Sequence, residues 1–208
     1  KLVLMYHMLP DISHACSVLI TRECDGVKVM ARNMDWLPYG DLAKQSLVMH
    51  WKHSGVYAFS TAGLVGVITG WNSKGLGLAM NVRIAGPPIY GMPPLFYNRS
   101  ILEQCDKVAS VDKFLQNELP RCNYHLSVLD ANENAAHYEF NVHHRNYYVE
   151  RNDTMLVFNF SRVNDGEMCY INGKAHPGVK EISSFWSNER HAFAEKCFAR
   201  EECVSEVI

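Results

Sequence analysis

An α+β chain, with stacked sheets covered by helices, is what the order of its periodicities predicts. Three observations carry that expectation. Segments of period two, rich in β-branched and aromatic residues, fill positions 15–84, and they return over 124–160. Stretches of helical period separate and follow these two blocks.

The first unit is ACSVLITRECDGVKVMARNMDW, from Ala15 to Trp36. It reads as two strands joined at Asp25-Gly26, a dipeptide suited to a tight hairpin turn. Ser46 to His53 and Val56 to Asn72 add two or three strands broken by glycines, and Asn72-Ser73-Lys74-Gly75 turns into another strand over Leu76 to Ile84. No helix lies between these strands, so they are expected to pair antiparallel. After the Gly/Pro loop over 86–94, Leu95, Ile101, Leu102, Cys105 and Val108 recur at helical spacing, with Pro94 suited to a first turn. A second helix from Val111 to Leu119 has Ser110 available as its cap and ends at Pro120. Four strands follow (YHLSVLDA, AAHYEFNV, RNYYVERN, TMLVFNF), which are expected to form a meander that rebuilds a sheet. A final helical stretch carries Ile182, Phe185, Trp186, Phe193 and Cys197 on an apolar face.

A chain of 208 residues that is 48% hydrophobic can bury a substantial core. Twenty basic and twenty-two acidic residues are dispersed without runs, which argues against nucleic acid or a charged membrane surface as partner. The seven cysteines form no C-x-x-C pair and no zinc-ribbon spacing, and the ten histidines, including His50/His53 and His143/His144, lack a carboxylate or cysteine frame. No metal site is expected. The odd cysteine count leaves at least one thiol unpaired in an oxidising compartment, and Cys16 is the one assigned to that role.

Residues 1–15, KLVLMYHMLPDISHA, combine Lys1, a short apolar run, Pro10 and the small residues Ser13 and Ala15 just before Cys16. That pattern is what a signal peptidase reads, so 1–15 are expected to be a signal peptide or propeptide, with 16–208 as the folded domain, secreted or periplasmic. An apolar run of this length is too short to span a bilayer, which needs roughly 20 residues, so stable membrane insertion is not expected. The alternative is a buried N-terminal strand.

The hairpin would bring Cys16 beside Arg32, Asn33 and Asp35. A thiolate is the reactive form of cysteine, and an ordinary thiol has a pKa of about 8.5, so reactivity at neutral pH needs a base or cation nearby. If Cys16 became the N-terminus, its own α-amine, with a pKa of about 7.7–8.0, would serve as that base. Arg32 would stabilise the thiolate and Asp35 could hold the amine. A buried strand cysteine beside a surface ion pair would produce the same triplet.

Cys16-Ser17 followed by Arg32-Asn33-Met34-Asp35-Trp36 resembles the N-terminal-nucleophile (Ntn) hydrolases of the choloylglycine hydrolase group: bile salt hydrolases, penicillin V acylases, and their acid ceramidase and N-acylethanolamine amidase relatives. The likeness takes in Gly63 to Gly70, Asn72-Ser73-Lys74-Gly75-Leu76, Tyr124 to Phe140, Phe158-Asn159-Phe160 and Ser187-Asn188-Glu189-Arg190, in the family's order. It implies an αββα four-layer sandwich of mainly antiparallel sheets that hydrolyses a linear amide of an N-acylated small molecule without metal or organic cofactor. Cys16 would be the nucleophile and its amine the base, with Arg32 and Asp35 polarising the pair. Asn159 and Asn81 would form an oxyanion hole, and Arg190 would complete the charged network. Trp36, Leu37, Tyr39, Pro88 and Tyr90 suit recognition of an apolar acyl group. Relatives continue well beyond the late arginine, so the catalytic domain over 16–208 is expected to be incomplete at its C-terminus. Two other readings stay open: acyl transfer to an amine by the same cysteine, and a non-enzymatic module whose Cys16 is never exposed. Homo-oligomerisation is left open as well.

Overall fold

The computed structural model describes residues 14–23, 25–36, 44–83, 88–159, 169–171 and 174–176, together with Lys196, with backbone alone at 14–15, 35–36, 169–171 and 174–176. The opening hairpin forms as its turn residues dictate. Strands β1 (His14–Arg22) and β2 (Lys28–Trp36) pair antiparallel along their whole length, from His14 opposite Trp36 to Arg22 opposite Lys28. Gly26 takes φ +84 in the turn, a conformation that glycine adopts without strain.

Next come β3 (Ser46–Trp51), β4 (Val56–Thr61), β5 (Thr69–Asn72) and β6 (Gly77–Val82). Two helices follow, α1 (Pro94–Gln104) and α2 (Val108–Asn117). Strands β7 (Tyr124–Leu129), β8 (Ala135–Asn141), β9 (Asn146–Glu150) and β10 (Met155–Val157) come after them, and a short hairpin joins β11 (Cys169–Ile171) to β12 (Lys174–His176). The expected final helix lies outside the described residues. The second helix starts earlier than its sequence pattern indicates: Lys107 is the cap, and Ser110, in the first turn, reaches back with its Oγ to accept from the Asp106 and Lys107 N–H groups.

The sheet pairing departs from sequence expectation in one informative way. The second block of strands does not rebuild a separate sheet. Instead β3 to β9 form one seven-stranded antiparallel meander in sequence order, and β6 pairs with β7 across the helical insertion, Leu78 opposite Val128 and Asn81 opposite His125. The last strand of that block, β10, leaves the meander and pairs with β1, giving a three-stranded sheet of order β10-β1-β2. Period two tells which residues share a face, but not which strand lies alongside.

The three-stranded sheet packs on one face of the meander, where Val18, Ile20, Met155 and Val157 meet Ala79 and Ala135. The helices cover the other face. There Tyr97, Ile101 and Leu102 pack with Leu78, Leu126, Tyr138 and Phe140, and Tyr97 meets the Phe140 ring edge-on at 6.1 Å. Gly70 permits this approach, since a Cβ there would stand 2.4 Å from the Tyr57 carbonyl oxygen and 3.3 Å from Leu102.

Asn72 locks the turn between β5 and β6 to the helices. Its Nδ2 donates to the Leu102 and Cys105 carbonyls at 2.8 Å each, and its Oδ1 accepts from the Lys74 and Leu76 N–H groups. Asn72→Ala strands these buried partners and is expected to lower stability by about 3 kcal/mol, read as a shift in urea midpoint at unchanged slope. Burial also pushes the Tyr97, Tyr124 and Tyr138 phenols well up, and the Cys122 thiol up to about 11. The unfolded chain gives up these protons first, so their contribution is intact below about pH 8, begins to fall as the unfolded thiol ionises at about 8.5, and is lost further as pH rises through 10 and beyond. A urea midpoint that holds from about pH 7 to 8, declines slightly towards 9 and falls steeply above 10 is the expected profile.

Candidate active site

The nucleophile candidate is set two residues into β1, in the middle strand of the smaller sheet, opposite Met34. Cys16 is fully buried and its side chain is a thiol. Its neighbour on β2 is Arg32, whose Nη2 donates to Sγ at 3.3 Å and to the Met80 carbonyl at 2.8 Å. Just beyond β10 stands Asn159. Its Oδ1 accepts from the Cys16 backbone N–H at 2.7 Å, and its Nδ2 donates to the Val82 carbonyl at 2.8 Å. One strand pairing therefore delivers the cation and another delivers the amide, both to the same residue.

The floor of the site is an unfilled edge of β6. The last rung to β5 runs from Met80 N–H to the Ile68 carbonyl at 2.9 Å, after which Val67 turns away and donates to Leu95 at the start of α1. Alternate residues of a strand direct their backbone groups to the same side, so the Met80 and Val82 carbonyls both face the side that β5 has left. Arg32 takes the first and Asn159 the second. Both carbonyls are satisfied, and two polar side chains are held without secondary-structure partners of their own.

Asn81 lies between those carbonyls, with its side chain on the face towards the smaller sheet. Its Nδ2 donates to the Val157 carbonyl at 2.9 Å and the Phe158 carbonyl at 3.4 Å, clamping the end of β10 that carries Asn159. Asp35 and Trp36 continue β2 opposite Ala15 and His14, though their side chains lie outside the described residues, as does Arg190. Leu37 and Tyr39 also fall outside them, while Pro88 and Tyr90 are exposed on the loop before α1. The structure thus brings Cys16, Arg32, Asn81 and Asn159 together.

Sequence reasoning missed the polar row beside this group. On the same face of the large sheet, His125 lies opposite Asn81, and Glu139 lies opposite His125. Its members are all buried. His125 Nδ1 and His137 Nε2 are 3.2 Å apart, Ser127 Oγ is 3.5 Å from His137 Nδ1, and Glu139 pairs with Arg83. Polar residues at period two read as a solvent-facing strand edge, and only the second sheet makes them interior. Among the described residues no group of histidines, cysteines and carboxylates has the geometry to hold a metal ion. A polar cleft of about 590 Å³ between Lys28, Lys107, Asp112, Asp130, Arg151 and Asp153 includes none of Cys16, Arg32, Asn81 or Asn159 in its lining.

Solved structures share this arrangement of sheets and helices. The N-acylethanolamine-hydrolyzing acid amidase ortholog of Caenorhabditis elegans matches with TM-score 0.58 and 19% identity, over 71% of this chain and 71% of that one. A mutant of the conjugated bile acid hydrolase from Clostridium perfringens matches with TM-score 0.51 and 16% identity, over 83% of this chain and 66% of that one. At such identities the likeness establishes the fold, an α+β fold of the Ntn-hydrolase class. The sequence profile described as acyl-coenzyme A:6-aminopenicillanic acid acyl-transferase matches residues 21–172, more than half of the chain, and the protein belongs to that family. Comparison with curated proteins finds no match.

Proposed function

We propose that the protein cleaves a linear amide bond of an N-acylated small molecule, using Cys16 as nucleophile after the Ala15–Cys16 bond has been cut. The observation that carries this reading is the pair of contacts on one residue: Arg32 Nη2 at Cys16 Sγ, 3.3 Å, and Asn159 Oδ1 at Cys16 N, 2.7 Å. In the described chain that nitrogen belongs to a peptide bond within β1. Cutting the bond before it would leave a primary amine already held by an acceptor, next to the thiol it must deprotonate.

The cycle follows from those roles. The amine takes the thiol proton, sulfur attacks the amide carbonyl, and the tetrahedral oxyanion is held by N–H donors, Asn159 Nδ2 among them. Collapse breaks the C–N bond, and the ammonium gives its proton to the departing amine. Water, deprotonated by the same amine, then attacks the thioester and releases a carboxylic acid and the thiol. Asp35, Asn81 and Arg190 are assigned to the charged and hydrogen-bonding frame, with Trp36 at the acyl side. A secreted or periplasmic site of action goes with removal of residues 1–15. The substrates named for the solved relatives, N-acylethanolamines and conjugated bile acids, together with penicillin V, make up the panel to test.

A second reading is favoured by the family itself, whose description is that of an acyltransferase. There the thioester passes its acyl group to an amine instead of water. One experiment separates the readings. Protein beginning at Cys16 is incubated with each amide, with and without an added amine acceptor, and free acid and new amide are quantified by mass spectrometry. Hydrolysis predicts acid in both arms, while transfer predicts that the new amide dominates when acceptor is present. No product in either arm, from protein with a proven N-terminal Cys16, overturns both.

A further inference from the structure

Arg83 and Glu139 form a buried ion pair, with 3% and 2% of their side chains exposed. Desolvating two charges offsets much or all of their attraction, and apolar residues of similar volume are often as stable or more so. Stability is therefore a weak reason for this pair, and its place in the chain supplies a second one. Arg83 follows directly on Val82, where β6 ends, and Glu139 stands on β8, two strands away across β7. The Val82 carbonyl holds Asn159 Nδ2, and Asn159 Oδ1 holds Cys16 N. On the β5 side the last rung of β6 is at Met80, and on the other side β6 pairs with β7 as far as Val82 opposite Tyr124, so Val82 is the last paired residue of the strand and is laddered on one side alone.

We propose that Arg83 and Glu139 are positioning residues for the nucleophile. Their pair ties the end of β6 to β8, sets the Val82 carbonyl, and through Asn159 sets the nitrogen of Cys16. The kinetic consequence rests on the amidase reading above, whereas the geometric consequence does not, and the experiment reads both.

Four proteins are compared: the parent, Glu139→Gln, Arg83→Lys, and the double variant Arg83→Met with Glu139→Leu, which removes both charges and leaves neither unpaired. The Asn159 side-chain amide is followed by ¹⁵N NMR, and amide cleavage is measured on protein beginning at Cys16. The double variant is expected to fold, to show the Asn159 amide signals displaced with faster solvent exchange, and to lose roughly 100-fold in kcat with little change in KM. Arg83→Lys, which keeps the charge, should recover most of that loss. Should the double variant not fold, Glu139→Gln and Arg83→Lys carry the same comparison. A folded variant without the ion pair whose Asn159 signals are those of the parent overturns the inference, whatever its kcat. Displaced Asn159 signals in a set where even the parent cleaves no amide uphold the positioning and sink the amidase reading instead.

Discussion

Replacing Cys16 by alanine is expected to lower amide cleavage by on the order of 10⁴-fold or more, since the proposed cycle loses the atom that would carry the acyl group. The fold should survive. Cys16 is part of the large buried core, and trimming one sulfur removes about 1 kcal/mol of packing, while Arg32 keeps its bond to the Met80 carbonyl. Two measurements check this: kcat/KM beside the melting temperature, and intact mass after a brief incubation with substrate. The parent should show an acyl adduct on the peptide that begins with Cys16, and the variant none. Undiminished turnover by a well-folded Cys16→Ala protein would rule out the thiol as nucleophile.

Asn159→Ala carries the second large effect, because one amide group serves two partners. Its loss leaves the Cys16 nitrogen without its acceptor and the Val82 carbonyl without its donor, both in a buried site. A fall of roughly 10²- to 10³-fold in kcat is expected, with about 2 kcal/mol lost in stability. Asn159→Asp divides the two roles. A carboxylate still accepts from Cys16 N but turns a negatively charged acceptor towards the Val82 oxygen and the oxyanion, so it should be no more active than alanine. Higher activity than alanine would place the contribution of Asn159 in its acceptor to Cys16 N rather than in its N–H donors.

How much of this was legible in the chain depends on whether the information is local. The opening hairpin could be read because Asp25-Gly26 specifies a turn, and the register follows from the turn; with it came the meeting of Cys16 and Arg32. The helical insertion could be read from Pro94 and the spacing of Leu95, Ile101 and Leu102. The pairing of β6 with β7 could not, because about forty residues separate them and nothing in a strand's alternation names its partner. The same non-local fact hid the polar row. His125, Ser127, His137 and Glu139 look like the wet side of two strands until the hairpin and β10 are laid across them. Ser110 shows a smaller version of the problem. A serine before an apolar run marks a helix start, but the Asp106 and Lys107 N–H groups bond to it from behind, so the helix begins earlier. Asn159 was found through a motif and not through its surroundings; no periodicity points to a residue whose role is to bridge two strands from different sheets.

Two oxygens of β6 face outward because β5 diverges at Val67, whose N–H goes to Leu95 at the foot of α1. A β-ladder tends to complete itself, and the segment before Thr69 is the natural candidate to zip alongside Met80 and Val82. If it did, its own N–H groups would displace Arg32 and Asn159 from both oxygens at once. The loop from Ala62 to Ile68 therefore acts as a wedge, and the tether between Val67 and Leu95 holds the sheet open beside Cys16, Arg32 and Asn159.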